Sequence, residues 1–139
     1  SEEGAGIDGK SFSLLPVEIF YRETGKTKKV TEYPCDGKLL KAAEQVKTKY
    51  HTGRGVIGSV DEWNNQLDRI ALLRERYHTA VEDMESAAAA QLCLSYGVPF
   101  LGVRILSNSI VNGEKFDEAV GIDGQKFMLS LIDQMREYM

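Results

Sequence analysis

The sequence predicts an α/β fold, with helices layered on a central sheet. Three observations carry the prediction. Apolar stripes of helical period begin at Asp36 and recur across 65–77 and near the C-terminus. Short β-rich runs alternate with them: VEIFY at Val17–Tyr21, GVIGSV at Gly55–Val60 and FLGVRIL at Phe100–Leu106. Glycine and proline punctuate the joins. The order strand, helix, strand, helix, helix, strand, helix is that of an α/β domain rather than of a bundle or a sandwich.

Each element follows from its own residues. The opening SEEGAGIDGKSFSLLP is rich in Gly and Ser and reads as a loop. VEIFY is a short strand, and ETGKTKK is a charged turn around Gly25. From Asp36, Leu39, Leu40, Ala43 and Val46 form one stripe while Lys38, Lys41, Glu44 and Lys47 face water. GVIGSV is a strand, followed by the polar loop DEWNN with the only tryptophan, Trp63. A second amphipathic helix is predicted from Asn65 to Tyr77, with Leu67, Ile70, Leu72 and Leu73 inward. TAVEDMESAAAAQLCLSYG begins extended, turns helical near Met84 and stops at Gly97, with Pro99 just beyond. After the strand FLGVRIL, a last helix is expected from about Asp123, burying Phe127, Leu131 and Met135.

Bulk properties narrow the class. The 139 residues fit one domain or a piece of one. At 42% hydrophobic residues the chain can build a core and is not a disordered segment. A net charge of −4 disfavours nucleic acid or an anionic membrane as the main partner. Cys35 and Cys93 have no metal or redox spacing and read as a loop thiol and a packed helix thiol. No apolar run approaches the ~20 residues of a membrane span, and no signal peptide is visible. A cytoplasmic location is the expectation.

Two stretches carry chemistry. In VEDMESAAAAQL, Glu82, Asp83 and Glu85 crowd the start of a helix. Carboxylates are favoured there because the amide end of a helix is partly positive, so capping accounts for one or two of them. The rest of the pattern suits a grip on a polyol. Ala87 to Ala90 let the helix approach another backbone closely, and a carboxylate can accept hydrogen bonds from two adjacent hydroxyls. Both readings stand on the residues alone. In FLGVRILSNS, a run that reads as a buried strand carries Arg104 and ends in Ser107, Asn108 and Ser109.

Together, VEDMESAAAAQLCLSYGVPFLGVRILSNS resembles the signature region of the purine nucleoside phosphorylase and nucleosidase superfamily, with most likeness to its 5′-methylthioadenosine/S-adenosylhomocysteine nucleosidases. The resembling features are Met84-Glu85 before a small-residue helix, Gly97-Val98-Pro99-Phe100, and a strand with Arg104 followed by Ser107. RGVIGSVDEWNN is similar to the family's base-binding segment. The resemblance implies a three-layer α/β/α domain with a central mixed sheet, of which residues 1–139 are the C-terminal portion; the N-terminal strands are absent from this chain. It also implies hydrolysis of the N-glycosidic bond of a purine nucleoside with release of the free base.

The resemblance assigns roles as well. Glu85 binds the ribose hydroxyls and Met84 packs on the sugar. Trp63 stacks on the purine, and Asn64 lies where main-chain groups read the base edge. Arg104 helps place the attacking water. Trp63 as a surface aromatic and Arg104 as the partner of an acid are the alternative readings. Bond cleavage passes through a sugar cation, so the leaving purine needs a proton or strong hydrogen bond at N7, which the family supplies from an aspartate after the serine. This chain reads Ser107-Asn108 there. An amide donates a hydrogen bond but delivers no proton, and general acid catalysis is worth about 10²–10⁴ in rate, or roughly 3–5 kcal/mol. Asn108 therefore points either to a catalytically impaired nucleoside-binding or storage homologue, or to a 6-oxopurine whose N7 and O6 accept from an amide. A phosphate-dependent nucleoside phosphorylase is a further alternative. His51 and His78 read as surface histidines. The mechanism calls for no organic cofactor, and no side-chain spacing suggests a metal site. The expected partners are a small-molecule nucleoside, other copies in a homo-oligomer, and a second chain supplying the N-terminal part.

Overall fold

The computed structural model describes residues 14, 16–106, 108–115 and 117–136. They fall into two compact units, one drawn from 1–34 and 55–100 and the other from 35–54 and 101–139.

In the first unit, β1 (Val17–Tyr21) and β2 (Lys26–Val30) form an antiparallel hairpin, with Val17 opposite Val30 and Tyr21 opposite Lys26. The connection is tight: the amides of Thr24 and Gly25 both donate to the Tyr21 carbonyl, and Gly25 takes φ +65°. Here the structure corrects the expectation of a mere charged turn, because KTKKV is a strand. Lysine is a poor strand former, but the ladder with VEIFY decides, and lysines on an exposed strand discourage further pairing. Ile19 is the buried residue of β1, between exposed Glu18 and Phe20.

A β-α-β passage follows. β3 (Val56–Ser59) pairs in parallel with β4 (Thr79–Asp83), and α2 (Leu67–Tyr77) joins them. Ser59 lies opposite Asp83, after an irregularity beside Val56 that skips Ala80. Helix α2 packs on β4 and buries Leu73, with Ile70 and Leu72 half-buried. Leu67, predicted to face inward, is instead 58% exposed, at the first position of the helix. His78 caps α2 at φ 58°.

Helix α3 (Ser86–Tyr96) packs on β1 and β3, and its buried residues are Ser86 and Ala90, one turn apart. It ends as predicted at Gly97, which adopts the left-handed conformation at φ +67°; its amide and that of Val98 close the last turn on Leu94 and Cys93. Ser95 fastens the helix to the hairpin, its hydroxyl donating to the Phe20 carbonyl at 2.6 Å and its carbonyl accepting from the Arg22 amide at 3.0 Å.

The second unit packs α1 (Gly37–Gln45) against α4 (Glu118–Met135). Asp36 caps α1, accepting from the amides of Lys38 and Leu39 at 2.8 and 3.0 Å. Ala42, Val46 and Leu131 form the core, flanked by Ala43, Leu101, Val103, Phe127 and Met135. Two further expectations are corrected here. Helix α4 begins five residues before Asp123, because Asp117 caps it through the Ala119 amide at 2.9 Å; Gly121 and Gly124 are weak helix formers that hide the early start in the sequence. The stretch 101–106 is not a strand, since no described residue pairs with it in a ladder. Its β-rich pattern is met by packing instead: Leu101 and Val103 alternate onto the helical core, and Ile105, though 43% exposed, lies against Gly124, where a Cβ would collide with it. The described ladders are therefore two, each of two strands, in an α/β chain.

Candidate functional site

Strands β3 and β4 run in parallel and end side by side, and the Val60 amide extends their ladder by donating to the Asp83 carbonyl at 2.9 Å. Two connections leave from that end. One carries Trp63 and Asn64 towards α2; the other carries Met84 and Glu85 into the start of α3. In α/β folds the carboxyl ends of parallel strands, with helix amide termini beside them, are where ligands bind.

The structure divides the three acids of the elbow. Asp83 is the structural one. Its Oδ1 accepts from the Ser59 hydroxyl at 2.6 Å and from the Ser86 amide at 3.2 Å, and the Ser86 hydroxyl donates to Oδ2. Ser59 in turn accepts from the Ala87 amide at 2.9 Å. Two unpartnered amides of the helix start are thus satisfied from the strand ends. Glu82 accepts from the Asn64 amide at both carboxylate oxygens, at 2.9 and 3.2 Å. Glu85 occupies the N-cap position of α3 without making a cap bond. Its side chain is exposed, and Oε2 accepts from the Met84 amide at 3.3 Å.

Met84 is 51% exposed and Trp63 is 71% exposed, so neither is a core residue. Asn64 is engaged through its side chain, a role that the resemblance to a main-chain base-reading position did not suggest. A shallow groove of about 370 Å³ lies elsewhere in this unit, between β1 and α3, lined by Ile19, Phe20, Gln91 and Leu92 among others; none of the predicted site residues lines it.

In the second unit, Arg104 is exposed and its Nη1 donates to the Val103 carbonyl at 2.9 Å. Asn108 is half-buried. Ser107 lies outside the described residues. Beyond it, Ser109 opens a turn, its hydroxyl accepting from the Asn112 amide at 3.2 Å and its carbonyl from the Glu114 amide at 2.9 Å. The strongest charge cluster of this unit was not foreseen. The Tyr50 hydroxyl donates to Asp123, and Lys49 and Lys126 approach the same carboxylate at 3.1 and 3.4 Å. The Tyr50 hydrogen bond, then Lys49, hold Asp123 down to about 2. The same contact raises Lys49.

His51 and His78 are exposed. Among the described residues no group of three or more His, Cys, Asp or Glu side chains could hold a metal ion, and no helix is long and apolar enough to cross a membrane. Sequence reasoning missed the staple through Asp83 and Ser59. Its only local signal was the Asp83-to-Ser86 spacing, a helix-capping pattern.

The chain is similar to proteins named 5′-methylthioadenosine/S-adenosylhomocysteine nucleosidase. The one from Bacillus pumilus (strain SAFR-032) is 34% identical over 131 residues, covering 86% of this chain and 56% of the relative. That from Aeromonas salmonicida (strain A449) is 31% identical over 125 residues, covering 85% and 54%. That from Geobacillus kaustophilus (strain HTA426) is 29% identical over 114 residues, covering 76% and 48%. The chain spans about half the length of the curated relatives it matches. No solved structure matches it. The family model of the phosphorylase superfamily matches residues 11–135, nearly the whole sequence, and the chain belongs to that superfamily.

Proposed function

We propose that this chain is the C-terminal portion of a three-layer α/β/α nucleosidase domain that hydrolyses the N-glycosidic bond of a purine nucleoside of the methylthioadenosine or adenosylhomocysteine type. The observation that carries the reading is the division of labour among the acids. Asp83 and Glu82 hold the strand ends and the Trp63 connection, while Glu85 stands exposed at the start of α3 without capping it. The names of the relatives give this carboxylate a substrate to grip.

In this reading Glu85 accepts hydrogen bonds from the two ribose hydroxyls and stabilises the positive charge that develops on the sugar. Met84 lies against the sugar and Trp63 against the purine face. Arg104 orients the water, and Ser107 and Asn108 address the N7 edge of the leaving base. No step requires a cofactor. The homo-oligomer and the cytoplasmic setting belong to the same proposal. The exposed apolar residues Ile122, Leu129 and Ile132 share one face of α4, and a second copy would cover them.

One observation favours a second reading. Asn108 stands where the family has an acid, and an amide cannot protonate N7, so a nucleoside-binding or storage homologue without turnover is the alternative. Incubation of the protein with 5′-methylthioadenosine and with inosine, with and without phosphate, decides among the readings. Free base released without phosphate is the expected result. Phosphate-dependent release points to a phosphorylase, and binding without release to the silent homologue.

A further inference from the structure

The connection that carries Trp63 is pinned on both sides of that residue. Before it, the Val60 amide is bonded to the Asp83 carbonyl at 2.9 Å, and Glu62 forms an ion pair with Arg69 of α2, whose side chain is only 14% exposed. After it, both ends of the Asn64 carboxamide are used. Its NH₂ donates to both Glu82 oxygens at 2.9 and 3.2 Å, and its Oδ1 accepts from the Gln66 amide at 3.2 Å. Glu82 lies on β4, the strand that leads into Met84 and Glu85. The two residues flanking Trp63 are thus fastened to different elements, while the indole is 71% exposed. A connection that only joined β3 to α2 would gain nothing from an ordered backbone under a large apolar ring in water. A ring meant to receive a planar ligand does gain, because the cost of ordering it is met during folding rather than on binding.

We infer that Glu82 and Asn64 are positioning residues whose clasp presets Trp63 as a stacking shelf, registered to the strand that leads into the Met84-Glu85 pair. The assignment of a purine to that shelf rests on the nucleoside reading above; the clasp itself does not. The bond is charge-assisted, so it is stronger than an ordinary loop contact. The conservative change Glu82→Gln keeps one acceptor for the Asn64 amide, whereas Glu82→Ala keeps none.

Trp63 is the only tryptophan, so its emission reports this connection alone. The test is time-resolved fluorescence anisotropy of the full 139-residue chain without ligand, with unfolding midpoints measured in parallel. Glu82→Ala and Asn64→Ala are expected to speed the local motion of the indole. The double variant should add little to the larger single effect, and Glu82→Gln should retain most of the slow component. Asn64→Asp, which sets two carboxylates face to face with almost no change in volume, should loosen the ring as the alanine changes do. A lowered unfolding midpoint with unchanged Trp63 motion would make the clasp merely structural and overturn the inference, as would additive effects of the two alanine changes. Quenching of Trp63 by 5′-methylthioadenosine is a separate reading. Glu82→Ala and Asn64→Ala should raise its Kd about threefold to tenfold, the size expected when one ordered side chain is set loose. A wild-type protein whose emission ignores the nucleoside tells against the purine assignment, and the anisotropy series still decides the clasp.

Discussion

The Ser59 hydroxyl donates to the Asp83 carboxylate at 2.6 Å, at the register position where β3 and β4 end together. That bond joins residues 24 apart in the chain, and the same carboxylate also takes the Ser86 amide at the start of α3. One side chain therefore holds two strands and a helix end in a fixed relation, directly before the Met84-Glu85 pair. Asp83→Ala removes a cap and leaves the Ser59 and Ser86 hydroxyls without their acceptor, which costs about 1–3 kcal/mol. Denaturant unfolding should show that loss, and Asp83→Asn should recover part of it because its carbonyl still accepts. An Asp83→Ala variant as stable as the wild type would show that this carboxylate does not staple the strand ends to the helix.

Gly97 closes α3 at φ +67°, a conformation that costs an L-residue roughly 1–2 kcal/mol. A Cβ there would also meet the Glu23 carboxylate, but that side chain is long and can move, so backbone strain sets the size of the effect. Gly97→Ala should therefore lower stability by about 1–2 kcal/mol in equilibrium unfolding. Gly97→Asn should cost less, since asparagine tolerates the left-handed region.

These relationships mark what the sequence could and could not disclose. Helix α1 beginning at Asp36, the stop at Gly97 and the acid-rich run 82–85 are local patterns, and each was legible within a few residues. The lysine strand β2 was not, because its partner rather than its composition makes it a strand. The stretch 101–106 was misread for the converse reason: its alternation is met by packing on α1 and α4, with no ladder among the described residues. The roles of the three acids were equally hidden. Which of them caps, which clasps Asn64 and which stays at the helix mouth depends on the register that sets Ser59 against Asp83. No local window contains that register.

Acid should loosen the second unit in a defined window. Asp123 is held down to about 2 by the Tyr50 hydrogen bond first and Lys49 second. A carboxylate whose folded pKa is depressed contributes stability that is fully present above its unfolded value, near 4, and is lost as pH falls towards the folded value. Unfolding midpoints should therefore fall between about pH 4 and pH 2 more steeply in the wild type than in Asp123→Asn. Tyr50→Phe should narrow that difference by removing the leading cause. Parallel pH profiles for all three proteins would show that the cluster contributes nothing.

Glu85→Gln is the direct test of the ribose grip. The substitution preserves size but removes the charge that two hydroxyl donors and a developing sugar cation would meet. Hydrogen bonds to a charged group are worth about 1.5–3 kcal/mol, so kcat/KM should fall roughly 10-fold to 100-fold. Near-normal kinetics would end the proposed role for this residue.

Asn108→Asp tests whether the chain has exchanged a proton donor for a hydrogen-bond donor. If cleavage of adenine nucleosides is limited by protonation at N7, restoring an acid at this position supplies the missing step. General acid catalysis spans about 10²–10⁴ in rate, so even partial recovery is a large signal. The expected outcome is faster release of adenine from 5′-methylthioadenosine, with a new fall in rate as pH rises and the introduced carboxyl loses its proton. Inosine should respond in the opposite sense, because an ionised aspartate faces the O6 and N7 acceptors that the amide of Asn108 suits. The comparison of the two bases therefore separates a lost acid from a changed substrate preference. Adenine release that is unchanged or slower in Asn108→Asp would show that this position does not serve the leaving base.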